Sequence, residues 1–596
     1  MKKQTLISSF NKIKGALRVY ADTIDDPEIR LRFARSVCGR TLEEFWMESC
    51  KNNDCSWNIL DPFEKFDQPS DVHISDARSL GNYLSTISFS ESSYLIGTLY
   101  TALLPRDWRA AKGAYYTPPP LVDHLIKMVT EQGFNWQRGK ILDPSCGGGA
   151  FLSPVALRMF ESLPKKIAND PNKTINDISH RLIGFEIDPF SAWISQTLVE
   201  MTFLSQCIEA DRRFPEIVIV CDTLIQTPTK TNFVDLIIGN PPYCKTPLTP
   251  ELREKYSRSL FGHANLYGIF TDMAINWTNS NGYIAYVTPT SFLGGQYFKS
   301  LRSLLSTEAQ PVAMDFVLER KGVFEDVLQD TMLVVYKKDK RTRYTDRNTT
   351  VNVHSLKSNG DGKTVIIKDI GHFQLPAGSE GPWLIPKEPE QIELVEKIIK
   401  MPDRFDRYGF EIVTGQLVWN RNKNRMCTEQ VPGSFPIIWA DAIGIDGEVR
   451  LISNRPHRLP YFIPSDTQGF LITNQQCILI KRTTAKEQKR RIFASLLSQN
   501  LISDYGGVVI ENHVNIIKPI TEKTTISLKT LVTLLNSDMF DMIYRLISGS
   551  VAVSAFELNC TPLPSLASMK KLERQISHNA SKEIIEKSIK LMYLKE

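Results

Sequence analysis

Asn240-Pro241-Pro242-Tyr243 is the stretch of this 596-residue chain whose residue types are best suited to chemistry. Asn240 and the Pro241 carbonyl offer two hydrogen-bond acceptors on a backbone stiffened by proline, and Tyr243 adds a ring able to stack on a planar group. Such a set suits the exocyclic amine of a flat ring. Something must hold it in place: Leu236, Ile237 and Ile238 read as a strand buried on both faces, and Gly239 with the two prolines stops that strand. In an open α/β sheet ligands bind at the carboxyl edge. A plain proline-rich turn after a core strand is the competing reading of these residues alone.

Three earlier stretches have the same strand-then-polar texture. Lys140-Ile141-Leu142-Asp143-Pro144-Ser145-Cys146-Gly147-Gly148-Gly149 reads as a strand entering a glycine turn and then a helix. Three successive glycines let the backbone approach a ligand closely. The pattern is neither Gly-x-Gly-x-x-Gly nor a P-loop, so a nucleoside whose charged group is not a phosphate fits better. Leu182-Ile183-Gly184-Phe185-Glu186 ends a second strand in an acid suited to ribose hydroxyls, after a polar insertion at about 161–180. A third strand, Ile217 to Val220, leads to Asp222, which could meet an amino group on a purine edge. Each acid read alone is equally a cap for the next helix. Upstream, Thr117 is expected to N-cap a helix that begins with Pro118, Pro119 and Pro120 and continues through Leu121, Val122, Leu125 and Ile126.

The totals constrain this reading without deciding it. A composition of 42% apolar and 23% charged residues is that of an ordinary globular protein, and a net charge of +5 permits a polyanionic partner without demanding one. Ten scattered cysteines without Cys-x-x-Cys spacing point away from a zinc site and toward reduced thiols. Polar residues interrupt the region after Met1-Lys2-Lys3, and no apolar run approaches a membrane span, so a cytoplasmic protein is expected.

Taken in order, Thr117-Pro118-Pro119, Asp143 to Gly149, Glu186-Ile187-Asp188-Pro189, Cys221-Asp222 and Asn240-Pro241-Pro242-Tyr243 resemble the motifs of AdoMet-dependent N6-adenine DNA methyltransferases. The motif order is similar to the gamma class of restriction-modification systems. The resemblance spans about residues 105–340 and implies a Rossmann-like α/β catalytic domain with S-adenosyl-L-methionine as cofactor. It also implies that Thr117 and the glycine loop (Gly147, Gly149) contact the methionine part, Glu186 the ribose and Asp222 the adenine amine. Asp143, Ser145 and Pro242 would line the same pocket. Catalysis would rest on Asn240 and Pro241, with Tyr243 and Phe324, of Gly322-Val323-Phe324, stacking on a flipped base. For such stacking the tyrosine ring matters and its hydroxyl does not. No metal is implied, and the partners implied are double-stranded DNA and a cognate restriction endonuclease, with no membrane.

Around this core the chain divides into a helical N-terminal unit to about residue 110, a catalytic domain over about 111–340, a connector over about 341–390, and a mixed α+β target-recognition domain from about 391 to the end. Tyr283 to Val287 is expected as a further strand and Met332 to Tyr336 as the last core strand. The basic run Lys337, Lys338, Lys340, Arg341, Arg343 and Arg347 reads as the exit from the catalytic domain. Gly415 to Arg425 and Asn454-Arg455-Pro456-His457-Arg458 interleave residues that could read bases and bind phosphates. Methylation of RNA adenine or protein glutamine, N4-cytosine methylation, and a DNA-binding subunit of a defence complex remain alternatives at this point.

Overall fold

The computed structural model describes residues 2–67, 69–112, 116–229, 233–318, 330–338, 350–359, 364–375, 381–451, 458–484, 488–521, 524–548 and 552–595. The chain divides into two compact units, Met1–Thr290 with Ser300–Gly378, and Ser291–Lys299 with Ser379–Glu596.

The first unit is built on a sheet of nine strands in the order β3-β2-β1-β4-β5-β7-β6-β8-β9. β1 (Ile141–Asp143), β2 (Leu182–Glu186), β3 (Val218–Val220), β4 (Val234–Gly239) and β5 (Thr278–Pro289) run parallel, a Rossmann-like half whose carboxyl ends share one edge. Leu236, Ile237 and Ile238 are at most 1% exposed, as the apolar run requires of a strand covered on both faces. β2 lies on one side of β1 and β4 on the other, so the order reverses at β1 and opens a crevice there.

Past β5 the sheet departs from the sequence reading. β7 (Thr331–Lys338) inserts antiparallel between β5 and β6 (Ala309–Val317) and is not the last strand. β8 (Thr350–Ser358) pairs parallel to β6, and β9 (Val365–Gln374) closes the edge antiparallel to β8. The stretch expected as a connector over about 341–390 therefore supplies two sheet strands. Its polar texture reflects an edge hairpin that meets water, with a β9 that is mostly exposed. In the basic run, Lys338 donates to the Ile275 and Thr278 carbonyls at 2.7 and 2.8 Å and so pins a helix end. Lys340, Arg341, Arg343 and Arg347 lie outside the described residues.

The N-terminal helices α1 (Lys2–Asp22), α2 (Pro27–Lys51), α3 (Asp71–Leu84), α4 (Phe89–Leu103) and α5 (Arg106–Lys112) belong to this unit. Their core includes Val37, Leu42, Phe45 and Trp46 and is continuous with Phe190, Trp193, Ile194 and Leu198 of a helix over Pro189–Thr202 that follows β2. α6 (Pro119–Glu131) starts one residue later than expected. Pro118 is its N-cap, and Thr117 stands before it with its side chain directed elsewhere. α6 is tied to the sheet through His124, whose Nε2 lies 2.5 Å from Asp315 of β6, while His354 of β8 holds the other carboxylate oxygen at 2.9 Å. Burial alone would raise the Asp315 carboxyl, but its bonds to the two histidines outweigh it and hold the group below the usual carboxylate range.

The second unit has an antiparallel sheet in the order β10-β18-β15-β16 and a five-stranded sheet in the order β11-β13-β12-β17-β14. Its strands are β10 (Phe410–Thr414), β11 (Met426–Cys427), β12 (Phe435–Ile438), β13 (Tyr461–Phe462), β14 (Ile472–Thr473), β15 (Cys477–Lys481), β16 (Ala494–Leu497), β17 (Val508–Ile510) and β18 (Val514–Pro519). Helices over Leu528–Leu535, Asp538–Ile547, Leu566–Ser577 and Lys582–Lys595 pack on this α+β body. Asn536 caps the first and Ser537 starts the second, and the Pro562 and Pro564 carbonyls accept from the hydroxyls of Tyr593 and Tyr408. Among the described residues no helix is long and apolar enough to cross a membrane.

Candidate active site

Four parallel strand ends and the lead-in to α6 converge on one cavity of about 380 Å³, within the range of small-molecule sites. The loop after β1 supplies Asp143, Ser145 and Gly147, β2 supplies Glu186, the segment after β3 supplies Asp222, and the loop after β4 supplies Asn240 and Pro242. Thr117 enters from the lead-in. Hydrogen bonds stitch these loops together: Thr223 Oγ1 donates to the Pro144 carbonyl at 2.7 Å, and the Cys146 backbone amide donates to the Phe185 carbonyl at 2.9 Å.

The loop after β1 depends on its glycines. Gly147 and Gly149 have φ of +53° and +87°, a left-handed conformation that side chains resist. Glu186 holds the loop from below, because its carboxylate accepts from the Gly147 amide and the Asp188 amide, each at 2.9 Å. At the end of β4, a Cβ on Gly239 would come within 2.5 Å of Asp143 Oδ1, so only glycine lets that acid sit beside the strand.

The charge of the cavity selects its ligand. Asp143, Glu186, Asp188 and Asp222 line it, and none of the described lining residues is Lys or Arg. Burial pushes the Asp143 carboxyl up to about 8, helped by the neighbouring Glu186, and pushes Glu186 up to about 7. Carboxylates held this high gain most from a cationic ligand and would repel a phosphate. The Tyr116 hydroxyl is also buried here and lacks a hydrogen-bond partner among the described residues. A sulfonium amino acid joined to a nucleoside meets these needs.

At the loop after β4, the Asn240 side-chain nitrogen donates to Thr117 Oγ1 at 3.0 Å. The Tyr243 hydroxyl reaches both Asn240 Oδ1 and the Val287 carbonyl, the latter at 3.0 Å. Ser145 Oγ donates to the Asn240 carbonyl at 3.4 Å. Tyr243 is only 8% exposed and sits edge-on to Tyr267 at 6.1 Å. The structure thus brings Thr117, Asp143, Ser145, Gly147, Glu186, Asp222, Asn240 and Pro242 to one cavity, and leaves Gly149, Pro241 and Tyr243 off its lining. A Cβ on Gly149 would come 3.0 Å from Ser195 Oγ, so this glycine serves close packing. Phe324 lies outside the described residues.

Sequence reasoning missed Tyr116, Asp188 and Tyr100, all of which line the cavity. A Cβ on Gly97 of α4 would fall 1.8 Å from Tyr116 Cζ, and one on Gly148 would fall 2.2 Å from its hydroxyl oxygen, so the ring is wedged between two glycines. Asp188 accepts from Tyr100 at 3.1 Å and from Arg35 of α2 at 2.8 Å, which makes the N-terminal helices part of the cavity's frame. The aromatic pair beside Thr117 was the available signal for Tyr116; its partner glycine is too remote in sequence to suggest the wedge.

In the second unit, Trp419, Trp439, Arg458, Lys481, Asp441, Glu511 and His513 line a separate cavity of about 440 Å³. The two indoles stand edge to face at 6.1 Å, and Arg458 lies 5.7 Å from the Trp439 ring centre while paired with Asp441. In the stretch from Gly415 to Arg425, Gln416, Asn420, Arg421, Lys423 and Asn424 are exposed around two short 3-10 turns, and Leu417 is buried. Asn454 to His457 lie outside the described residues.

Comparison with known proteins follows the same lines. Residues 157–324 match the family described as Eco57I restriction-modification methylase, a span that holds Glu186, Asp222 and the Asn240 loop. The chain is 26% identical over 370 residues to the type II methyltransferase M.PstI of Providencia stuartii, covering 60% of this chain and 71% of that protein. It is 24% identical over 471 residues to the type II methyltransferase M.BsuBI of Bacillus subtilis, covering 76% and 87% respectively. The cryo-EM structure of a DrdV–DNA complex shares the fold with a TM-score of 0.53 at 12% identity, over 96% of this chain and 72% of that one.

Proposed function

From its kinship with type II restriction-modification methyltransferases, we propose that this chain methylates adenine N6 at a specific site in double-stranded DNA, as the modification enzyme beside a cognate restriction endonuclease. One observation carries the reading: the side chain of Asn240 opens onto an acidic, glycine-cradled cavity that suits S-adenosyl-L-methionine. When bound there, the cofactor supplies a methyl group on a cationic sulfur that leaves as a neutral thioether.

The residues of this chain do the rest. Thr117, Tyr116 and the backbone of the glycine loop, all on the cavity wall, would meet the amino-acid end, Glu186 would accept from the ribose, and Asp222 would accept from the adenine of the cofactor. Asn240 Oδ1 and the Pro241 carbonyl accept the two hydrogens of the target amine, which turns its lone pair out of the ring plane toward the methyl carbon. The new N–C bond forms as the sulfur–carbon bond breaks, and one amine proton is lost to solvent. No strong base is required, because orientation and fixed dipoles supply the rate, on the order of 7–11 kcal/mol for ideal alignment. The target base must leave the duplex to reach this loop, at a cost of a few kcal/mol. The second unit, with its exposed Gln416, Arg421 and Lys423 beside Trp419, is the sequence-reading part.

Incubating the protein with tritiated AdoMet and mixed genomic DNA, followed by nucleoside analysis, tests this directly. Label in N6-methyladenine is the expected result. Label in N4-methylcytosine overturns the choice of target base, and the absence of label in DNA overturns the substrate.

A further inference from the structure

We infer that Arg35, reaching in from the N-terminal helices, is a positioning residue for the cofactor: its guanidinium pairs with Asp188 behind the cavity wall and offsets the charge that Asp188 would otherwise press on Glu186, the acceptor proposed for the ribose. The inference rests on the cavity's holding AdoMet and not on which base of DNA is methylated.

Glu186 and Asp188 stand two residues apart at the end of β2, on a wall whose described residues include no Lys or Arg. They are joined directly, because the Asp188 amide donates to Glu186 Oε1 at 2.9 Å, while Glu186 Oε2 accepts from the Gly147 amide at 2.9 Å. Like charges this near oppose each other's ionisation. The compensation comes from behind the wall. Arg35 of α2 donates from Nη2 to Asp188 Oδ1 at 2.8 Å, and its Nη1 is fixed by Glu64 at 2.7 Å. Asp188 Oδ2 takes the Tyr100 hydroxyl of α4 at 3.1 Å, the Ser191 hydroxyl at 2.7 Å and the Ser191 amide at 3.2 Å. Arg35, Asp188, Glu186 and Gly147 thus form one unbroken hydrogen-bonded chain from α2 to the glycine loop.

A staple between helices and sheet would explain the ion pair but not its place. The side chains of Arg35 and Asp188 are 14% and 5% exposed, so water and salt screen the pair little. Burial pushes Glu186 up to about 7, and the charge of Asp188 adds to the push. Glu186 is also faced by Asp143 and Cys146 from the loop after β1, by Tyr116 from the lead-in to α6 and by Cys221 beyond β3, none of which can carry a positive charge. Because this acid titrates near neutrality, a modest change in the field decides how much of it is a carboxylate. A cation held against Asp188 is therefore placed where it tunes cofactor affinity without touching the cofactor.

The test is calorimetric AdoMet affinity from about pH 6 to about pH 9, with thermal unfolding of the empty protein alongside, for wild type, Arg35→Lys, Arg35→Met, Asp188→Asn and the double variant Arg35→Met/Asp188→Asn. Affinity rises with pH as Glu186 ionises, and the midpoint of that rise is compared, so that titration of AdoMet itself cancels between variants. Arg35→Met leaves Asp188 uncompensated, so its midpoint should lie above wild type by about half a pH unit or more, with AdoMet roughly threefold to tenfold weaker at neutral pH. Asp188→Asn removes the opposing charge and leaves the cation, which should move the midpoint below wild type. The double variant loses both charges and should return close to wild type, and Arg35→Lys, which keeps the cation, should stay close to it. A staple that only holds the helices predicts lower unfolding temperatures and one common midpoint; that result overturns the inference and leaves the AdoMet reading standing. Should Arg35→Met fail to fold, Asp188→Asn decides: a midpoint at or above that of wild type sinks the proposal, and one below it sustains the proposal. If wild type binds no AdoMet, the reading of the cavity falls and the role of Arg35 falls with it.

Discussion

The two cavities differ in what their walls can offer. The one in the first unit is ringed by four carboxylates and glycine backbone, with no Lys or Arg among its described lining residues, and it asks for a cation. The one in the second unit sets two indoles beside Arg458 and Lys481, each partly neutralised by Asp441, and it asks for flat, electron-rich groups. The contrast is one of charge at the two walls: the first suits a cation and repels a polyanion, while the second carries Arg458 and Lys481.

If that contrast holds, variants in one cavity should leave the ligand of the other alone. The largest effect is expected at Asn240→Ala, which should cut methyl transfer by about a hundredfold to a thousandfold, as when an oriented transition-state contact is removed. Calorimetry should find its AdoMet affinity within about twofold of wild type if the wall is left intact. Next, Glu186→Gln should weaken AdoMet binding by roughly tenfold to a hundredfold, the scale of a lost charge-assisted hydrogen bond, while DNA binding measured by mobility shift stays the same. Trp419→Ala should do the reverse, weakening DNA binding by about 1–3 kcal/mol if a base or sugar packs on the indole, with AdoMet affinity untouched. An equal loss of both ligands in either variant would break the comparison.

The smallest effect is a pH dependence. Asp143 and Glu186 are raised to about 8 and about 7, so near neutral pH part of this acid is in the protonated form. A cation favours the carboxylates, hence it binds the deprotonated form better and lowers both values. AdoMet affinity should therefore rise as pH goes from about 6 to about 8, by up to roughly tenfold, and level off above. Binding should also release protons, visible as a dependence of the calorimetric heat on the buffer. Affinity that is flat over this range would mean that neither acid faces the cation.

What the sequence made legible was local. Each strand end carries its chemistry within a few residues, so Asp143, Glu186, Asp222 and Asn240 could be placed before any contact was known. Thr117 was read as a cap because a threonine before prolines usually is one. Pro118 takes that place, which leaves the hydroxyl to Asn240. The strands β8 and β9 were hidden for another reason: the pairing of β8 with β6 is set by tertiary contact, β9 pairs only with β8, and an exposed edge hairpin has the composition of a linker. Tyr243 was legible as an aromatic next to the acceptor pair, but not the direction of its hydroxyl, which is decided by the Val287 carbonyl on another strand. Gly149 looked like its neighbours and differs only because Ser195 packs against it.

The wedge of Tyr116 between Gly97 and Gly148 bears on how this protein could be dismantled or recombined. A cut near residue 110 would seem, from motifs alone, to release a minimal catalytic module. It would remove one jaw of the slot that holds Tyr116, together with the Tyr100 and Arg35 pegs on Asp188. Exchange of the first five helices with those of a distant relative would be tolerated only if the small residue facing the tyrosine came along. Heredity should therefore treat Gly97, Tyr116 and Gly148 as a single unit, though they are spread over fifty residues of chain.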